Sequence, residues 1–421
     1  LSLIISCSGN DDPVIEYVII TETVTETETE EVEVDEYAGS TLEGKITSDK
    51  TLDASKVWLL KGRVSVESGS TLTIPAGTII KAASGTGADA STLIIARGAK
   101  IIADGTADAP IIMTSVSDNI EVGGTYPSSG PALGVTTRGL WGGMLILGNA
   151  PCSFSGDVTE LQIEGIPTSD TNGLYGGSDA ADNSGSVQYL SIRHGGAEIG
   201  EGNEINGLTL GGVGSGTKIN HVEVVANVDD GIEFFGGTVY ATNLLVWGQG
   251  DDAIDIDQAY AGTIDGAMVI LTDASDHGFE VDGPEGSAAG SFTLKNATVL
   301  GATKACSALG VNGEMADFRK AATGNLSNIL FKDFSGGKDV ELDASADAAS
   351  YTAGTLTFAN IDIMYPVSDG EVCSNVETLD KIFDDKSDES TFEADASTFA
   401  EVVTEQQAGN GVDASIFSWT F

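Results

Sequence analysis

Basic residues are scarce in this chain. Lys plus Arg number 19 against 64 Asp plus Glu, a formal net charge of −45. That balance excludes nucleic acid as a natural partner, because phosphate binding needs basic patches. It suits solubility in salt or the binding of cations. Proline is also sparse, at 9 of 421 residues, while glycine reaches 54, a pairing that fits many tight turns. Cysteine is limited to Cys7, Cys152, Cys306 and Cys373. With Cys7 set aside the count is odd, so at least one of the rest stays free or pairs between chains. A Cys306–Cys373 disulfide would suit an oxidising exterior, and three small buried apolar residues are the equal alternative. No run reaches the roughly 20 apolar residues of a membrane-spanning helix. The strand-and-turn segments at 64–80 and 93–105 show no helical period either.

What is present is a repeated acidic strand. Asp229-Asp230-Gly231-Ile232-Glu233-Phe234-Phe235, Asp251-Asp252-Ala253-Ile254-Asp255-Ile256-Asp257 and Asp276-His277-Gly278-Phe279-Glu280-Val281-Asp282 follow one another at intervals of roughly 22 to 25 residues. Gly207-Leu208-Thr209-Leu210-Gly211 precedes them without the acids. Such intervals signal stacked supersecondary units, a solenoid in which each repeat touches only its neighbours. Earlier segments, such as 64–80 and 93–105, alternate short strands with Gly turns and indicate an all-β chain. Asn220, Asn243, Asp265, Asn296, Asn328 and Asn360 are each expected to open a strand and to stack as a hydrogen-bonded ladder. Roughly ten coils at ~4.8 Å would make a rod about 50 Å long.

The ends differ from the middle. Leu3-Ile4-Ile5-Ser6-Cys7 resembles a lipobox, with Cys7 the residue that takes the lipid and residues 1–6 the remnant of a signal peptide. Residues 7–44 form an acidic Thr/Glu tract that offers too few apolar groups to bury and reads as a lipid-anchored linker. The parallel β-helix is expected over 45–370, with polar Gly-rich insertions at about 116–137 and 152–185 as candidate loops on one face. Residues 371–421 read as a C-terminal cap, with Ser415–Phe421 sealing the open end.

Several segments look like one set: Arg138-Gly139-Leu140-Trp141-Gly142-Gly143, Gly148-Asn149-Ala150-Pro151, Ile192-Arg193-His194-Gly195-Gly196, 204–213, and Glu233-Phe234-Phe235-Gly236-Gly237-Thr238-Val239. Together they resemble a family of secreted or surface lipoproteins, common in Bacteroidetes, with a right-handed parallel β-helix of the pectin-lyase type. The resemblance covers roughly residues 45–421. It implies that fold and an outer-membrane, cell-surface location, and it carries no catalytic residue with it. The acidic start Ser8-Gly9-Asn10-Asp11-Asp12 resembles the surface-export signal of Bacteroidetes lipoproteins.

Strand alternation assigns the sides. Ile232 and Phe234, Ile254 and Ile256, and Phe279 and Val281 point to the core. Glu233, Asp255 and Glu280 point outward in one column, and Asp257 and Asp282 continue a second below Phe235. Asp229, Asp230, Asp251, Asp252, Asp276 and His277 sit at the preceding turns. Carboxylates about 5 Å apart either take up protons or share a cation, and oxygen-only clusters suit Ca²⁺. The candidate ligands are Asp229, Asp230, Glu233, Asp251, Asp252, Asp255, Asp276 and Glu280. A solvated acidic face is the competing reading.

Asn227-Val228-Asp229, Gly250-Asp251-Asp252 and Asp276-His277-Gly278 also resemble, in order and spacing, three elements of polygalacturonase-like glycoside hydrolases. The resemblance implies Asp252 as general acid, Asp229 and Asp251 as the groups activating water, and His277 tuning the acid. The fourth element, Arg-x-Lys, is missing: Arg319-Lys320 comes late and has no intervening residue. Phe235, Trp247 and Tyr260 are candidate stacking groups for a sugar. The leading expectation is therefore a monomeric surface lipoprotein whose acidic, Ca²⁺-holding face binds an extracellular glycan or partner, with no organic cofactor and with membrane contact through the lipid only. A glycoside hydrolase and a structural or adhesive rod are the alternatives.

Overall fold

Short strands with one apolar face must stack to bury it, and in a solenoid the burying partner is the next coil. The computed structural model describes residues 37–123, 133–198, 205–301, 313–334, 338–368, 371–372 and 377–420. The chain divides into Leu1–Glu36 and a second unit, Tyr37–Phe421. Cys7, Cys306, Cys373 and the Thr/Glu tract at 20–30 lie outside the described residues.

The second unit joins 24 strands in one hydrogen-bonded system. The protein is a right-handed parallel β-helix. The four repeat strands, Leu208–Gly211, Ile232–Phe235, Ile254–Asp257 and His277–Asp282, pair parallel and in register, as expected. Leu208 stacks on Ile232, Ile254 and Phe279, and Leu210 on Phe234, Ile256 and Val281. All of them are buried in the central core. Each such side chain removed from water stabilises the fold by about 1.5–3 kcal/mol. The same sheet continues through Glu314–Arg319, Val340–Leu342 and Phe383–Asp385.

A second sheet holds longer strands, from Gly185–Arg193 to Leu356–Met364. Each bends at one residue with positive φ: Tyr189, His221, Asn243, Gly266, Asn296, Asn328 and Asn360. Asn tolerates this left-handed conformation better than other non-glycine residues. The ladder forms, because Asn328 donates to Asn296 at 2.9 Å and Asn360 donates to Asn328 at 3.0 Å. Asn243 donates to Asn220 at 3.1 Å and Asn296 to Asp265 at 2.6 Å. These residues lie within the strands rather than opening them. The left-handed bend is what selects Asn, and Asn220 and Asp265 stand one position before it. At Gly266 there is no side chain, and a Cβ there would come within 2.9 Å of the Asn243 amide oxygen.

The ends depart from the expected boundaries. Thr41–Ile46, which begins inside the stretch read as linker and crosses its expected end at 44, already pairs with Val57–Val66. Phe383–Asp385 and Ala400–Val402 are still coil strands, inside the stretch read as cap. Phe392 and Phe399, on the helix Phe392–Phe399, pack on Phe358 and Phe383 of the last coils, with Phe358–Phe392 centroids 4.9 Å apart. Those rings face the final strands, whereas Phe417 packs on Leu245 and Met268 of earlier coils; Phe421 lies outside the described residues. The segment after Val402 runs back along the side of the second sheet. Gln407 N and Asn410 Nδ2 donate to Asp362, Gly411 N to Asn328 O, and Val412 N to the Thr298 hydroxyl. Phe417 and Val412 then cover Leu245 and Met268, and Trp419 meets the Tyr189 ring edge-on.

Candidate functional site

The outward positions of the first sheet form one column. It passes through Thr209, Glu233, Asp255, Glu280, Asp317, Glu341 and Asp384, one residue per coil. The repeat sequence reveals Glu233, Asp255 and Glu280. Asp317, Glu341 and Asp384 were missed, because the loops between coils lengthen and the Asp-Gly turns disappear. The available signal was the same period-two alternation in Glu314-Met315-Ala316-Asp317-Phe318-Arg319.

Three of the expected ligands form a buried group. Ligand oxygens of Asp230, Glu233 and Asp255 lie within 4.8 Å of one another. The three residues are only 6, 4 and 8 % exposed. The Asn206 amide donates to Glu233 and, at 3.4 Å, to Glu164. One oxygen of Asp255 and the side-chain oxygen of Asn206 are buried and meet no hydrogen-bond donor. Burial pushes all three carboxyls well above the usual range, and neighbouring acids add to it: Asp252 and Asp229 on Asp230, Asp255 and Asp230 on Glu233, Asp230 and Asp257 on Asp255. Every donor atom here is oxygen, the set that Ca²⁺ or Mg²⁺ prefers, so the residues fit a hard divalent cation.

The turn residues gather beside this group. Asp229, Asp230 and Asp251 bring oxygens within 4.8 Å of one another, and oxygens of Asp252 and Asp276 lie as close to each other and to a ring nitrogen of His277. Asp252 is buried, and one of its oxygens accepts from both the backbone N and the Nδ1 of His277 at 2.8 Å. Burial opposes the imidazolium, but the Asp252 hydrogen bond and charge outweigh it and raise His277 to about 9. That oxygen of Asp252 is therefore committed to His277 rather than open to a leaving group. Among the described residues Glu280 joins none of the metal-capable groups. It pairs with Arg319 instead.

Arg319 corrects the expectation that Arg319-Lys320 comes too late along the chain, though the two still have no intervening residue. It stands in register with Asp282, one coil on, and its Nε donates to Asp282 at 2.7 Å. Lys320 also pairs with Asp282. Residues 302–312, outside the described residues, lie between His277 and Arg319 in sequence, and that separation hides the one-coil spacing. A fourth carboxylate group, Glu314, Asp339 and Glu341, lies further along. Burial raises Asp317 and Asp339 to about 7, and burial with Asp252 raises Glu280 to about 8. Burial and Asp282 raise Asp257 to about 7.

The stacking groups need correction too. Phe235 does face outward, as strand parity requires, but it is 6 % exposed. The insertion at 152–185 folds over it, packing Phe154, Ile163, Ile166 and Tyr175 on Leu145, Leu147 and Phe235. Tyr260 is buried against Phe234 and donates its hydroxyl to Val239 O at 2.6 Å. Trp247 is half-buried, in register between Val225 and Ile270. In the described part of the first insertion Ile120 packs on Ile79 and Ile112, and Arg138, at its end, donates to Gly248 O at 2.7 Å, beside the turn that carries Asp251.

Two hollows stand out among the described residues. One of about 260 Å³ adjoins Asp251, Asp276, Glu314 and Lys338. The larger, about 640 Å³, lies by Arg97, Asn149 and Asp182, away from the converging acids. Over residues 44–421 the chain matches a family described as a pectate-lyase like beta helix domain. No curated protein and no solved structure matches it.

Proposed function

This chain belongs to the pectate-lyase-like β-helix domain family, and on that premise we propose that it is a cell-surface lipoprotein whose acidic column holds Ca²⁺ and binds an extracellular glycan or partner. The observation that carries the reading is the buried Asp230–Glu233–Asp255 group, in which an Asp255 oxygen meets no donor. Three carboxyls buried that closely destabilise one another unless protons or a cation intervene. A cation supplies the missing partner and neutralises the group. Calorimetric titration of the full chain with Ca²⁺ tests this. Saturable binding is expected, weakened about tenfold or more in Asp255→Asn, a loss of about 1.4 kcal/mol. Equal binding by the variant would overturn the assignment.

The lipoprotein reading rests on the lipobox-like Leu3–Cys7. A single lipidated residue is the anchor it invokes, so Cys7→Ala expressed in cells is expected to leave the membrane fraction. Retention there would refute it.

One observation favours hydrolysis by Asp229, Asp251 and Asp252: Arg319 occupies the next coil, where a substrate carboxylate would need a cation. Against it, Arg319 is bound to Asp282 and Glu280, and Asp252 to His277. The binding role is the better supported.

A further inference from the structure

The larger hollow lies where the second insertion meets the corners of three early coils. Its walls are preformed by the backbone: Gly176 N donates to Gly148 O at 3.0 Å and Asp179 N to Asn149 O at 2.9 Å. The wall side chains also stand close to glycines. A Cβ at Gly177 would come within 2.0 Å of the Asn149 amide oxygen, and one at Gly98 within 2.6 Å of the Ser68 hydroxyl. Larger residues at either place would push the wall out of position.

The lining chemistry is unlike the rest of the chain. Ser68, Thr159 and Ser178 offer hydroxyls and Asn149 an amide. Arg97 is held at the edge, donating to Gly176 O at 2.7 Å and to Glu160 at 2.5 Å. Asp182 supplies a carboxyl. Among the described residues no aromatic or aliphatic side chain lines the space, so an apolar ligand would gain little there. The charged lining groups are one cation and two carboxylates, and the single cation is already paired, so a polyanion has nothing to meet. What remains is a set of neutral donors and acceptors in a space within the usual range of ligand sites, about 300–1,000 Å³.

We propose that this hollow is a binding site for an uncharged sugar, taking one end of a neutral glycan, separate from the acidic column and independent of Ca²⁺. The site goes beyond the cation-dependent role above and does not rest on it. Calorimetric titration of the full chain in a chelator, with cellotetraose, maltotetraose and mannotetraose as neutral probes and tetragalacturonate as the acidic one, tests it. At least one neutral probe is expected to bind saturably. Thr159→Trp and Ser178→Trp, on the exposed rim, are expected to weaken it about tenfold or more while leaving the melting temperature unchanged. The proposal is overturned if no neutral probe binds, if binding requires Ca²⁺, if tetragalacturonate binds more tightly, or if both folded Trp variants bind as the parent does. Because the titration excludes the cation, its failure is distinct from failure of the Ca²⁺ reading.

Discussion

Raising the pH from about 5 to about 8 in a chelator is expected to lower the melting temperature of this protein, and millimolar Ca²⁺ is expected to restore it. Asp257, Asp317 and Asp339 are raised to about 7 and Glu280 to about 8, in each case by burial first. The folded state therefore holds protons that the unfolded chain, with carboxyl pKa values near 4, releases. Their contribution to stability is full below about pH 4 and is lost as pH rises through about 7 to 8. His277, raised to about 9, acts in the same direction. Its contribution is full below about 6.5 and disappears through about 9. Asp282, lowered despite burial by Arg319 and Lys320, and Glu314, lowered despite burial by its hydrogen bond with Asp339 and then by Lys338, oppose this only below about pH 4. A cation bound to the folded state alone adds about 2.7 kcal/mol at a hundredfold excess over its Kd. Scanning calorimetry across that range, with and without Ca²⁺, reads both effects. A melting temperature that is flat or rises toward alkaline pH would remove the protonated column, and one indifferent to Ca²⁺ would remove the cation.

The second large effect concerns the cover over the column's upstream end. Phe235→Ala is expected to cost about 3–5 kcal/mol, the usual range for emptying a buried aromatic site. Phe235 meets Tyr175 edge-on at 5.9 Å, and Tyr175 meets Phe154 at 5.2 Å. Removing the ring at the bottom of that stack loosens the insertion as well as the coil. Limited proteolysis is expected to gain a cut near the exposed stretch 157–161, before global unfolding begins. Tyr175→Phe keeps the ring and loses only the 2.9 Å hydrogen bond to Gln258, so its cost is expected near 1 kcal/mol. A Phe235→Ala protein as stable and as resistant as the parent would mean that the insertion is held elsewhere.

These two effects differ in how far the sequence foretells them. Glu233, Asp255 and Glu280 are legible because period-two alternation fixes which side chains face out, and the Asp-rich turns mark the register. Asp317 and Glu341 obey the same alternation, but without the turn signature their coils cannot be aligned by eye. Arg319 shows the cost: counted along the chain it is far from His277, yet in register it lies one coil away. Phe235 fails for another reason. Alternation gives direction, not cover, and its cover comes from Phe154 and Tyr175 in a segment with no period of its own. The buried state of Asp230 and Asp255 follows from packing around the turns and is likewise invisible to a strand pattern. Asn328 and Asn360 are legible as a ladder from spacing alone, whereas their place within the strand depends on a backbone bend that spacing does not encode.

The returning C-terminal segment changes how the solenoid comes apart. A stack whose coils touch only their neighbours can fray from its last turn, one coil at a time. Here Gln407, Asn410, Gly411 and Val412 clasp Asp362, Asn328 and Thr298 in succession, and Trp419 reaches the Tyr189 ring. Unzipping the last coil therefore frees a tether that also holds strands from several coils earlier. Loss of order at that end becomes a joint event rather than a sequential one. A pull applied at the C-terminus would load this clasp in shear along the rod before it could peel any strand from its neighbour.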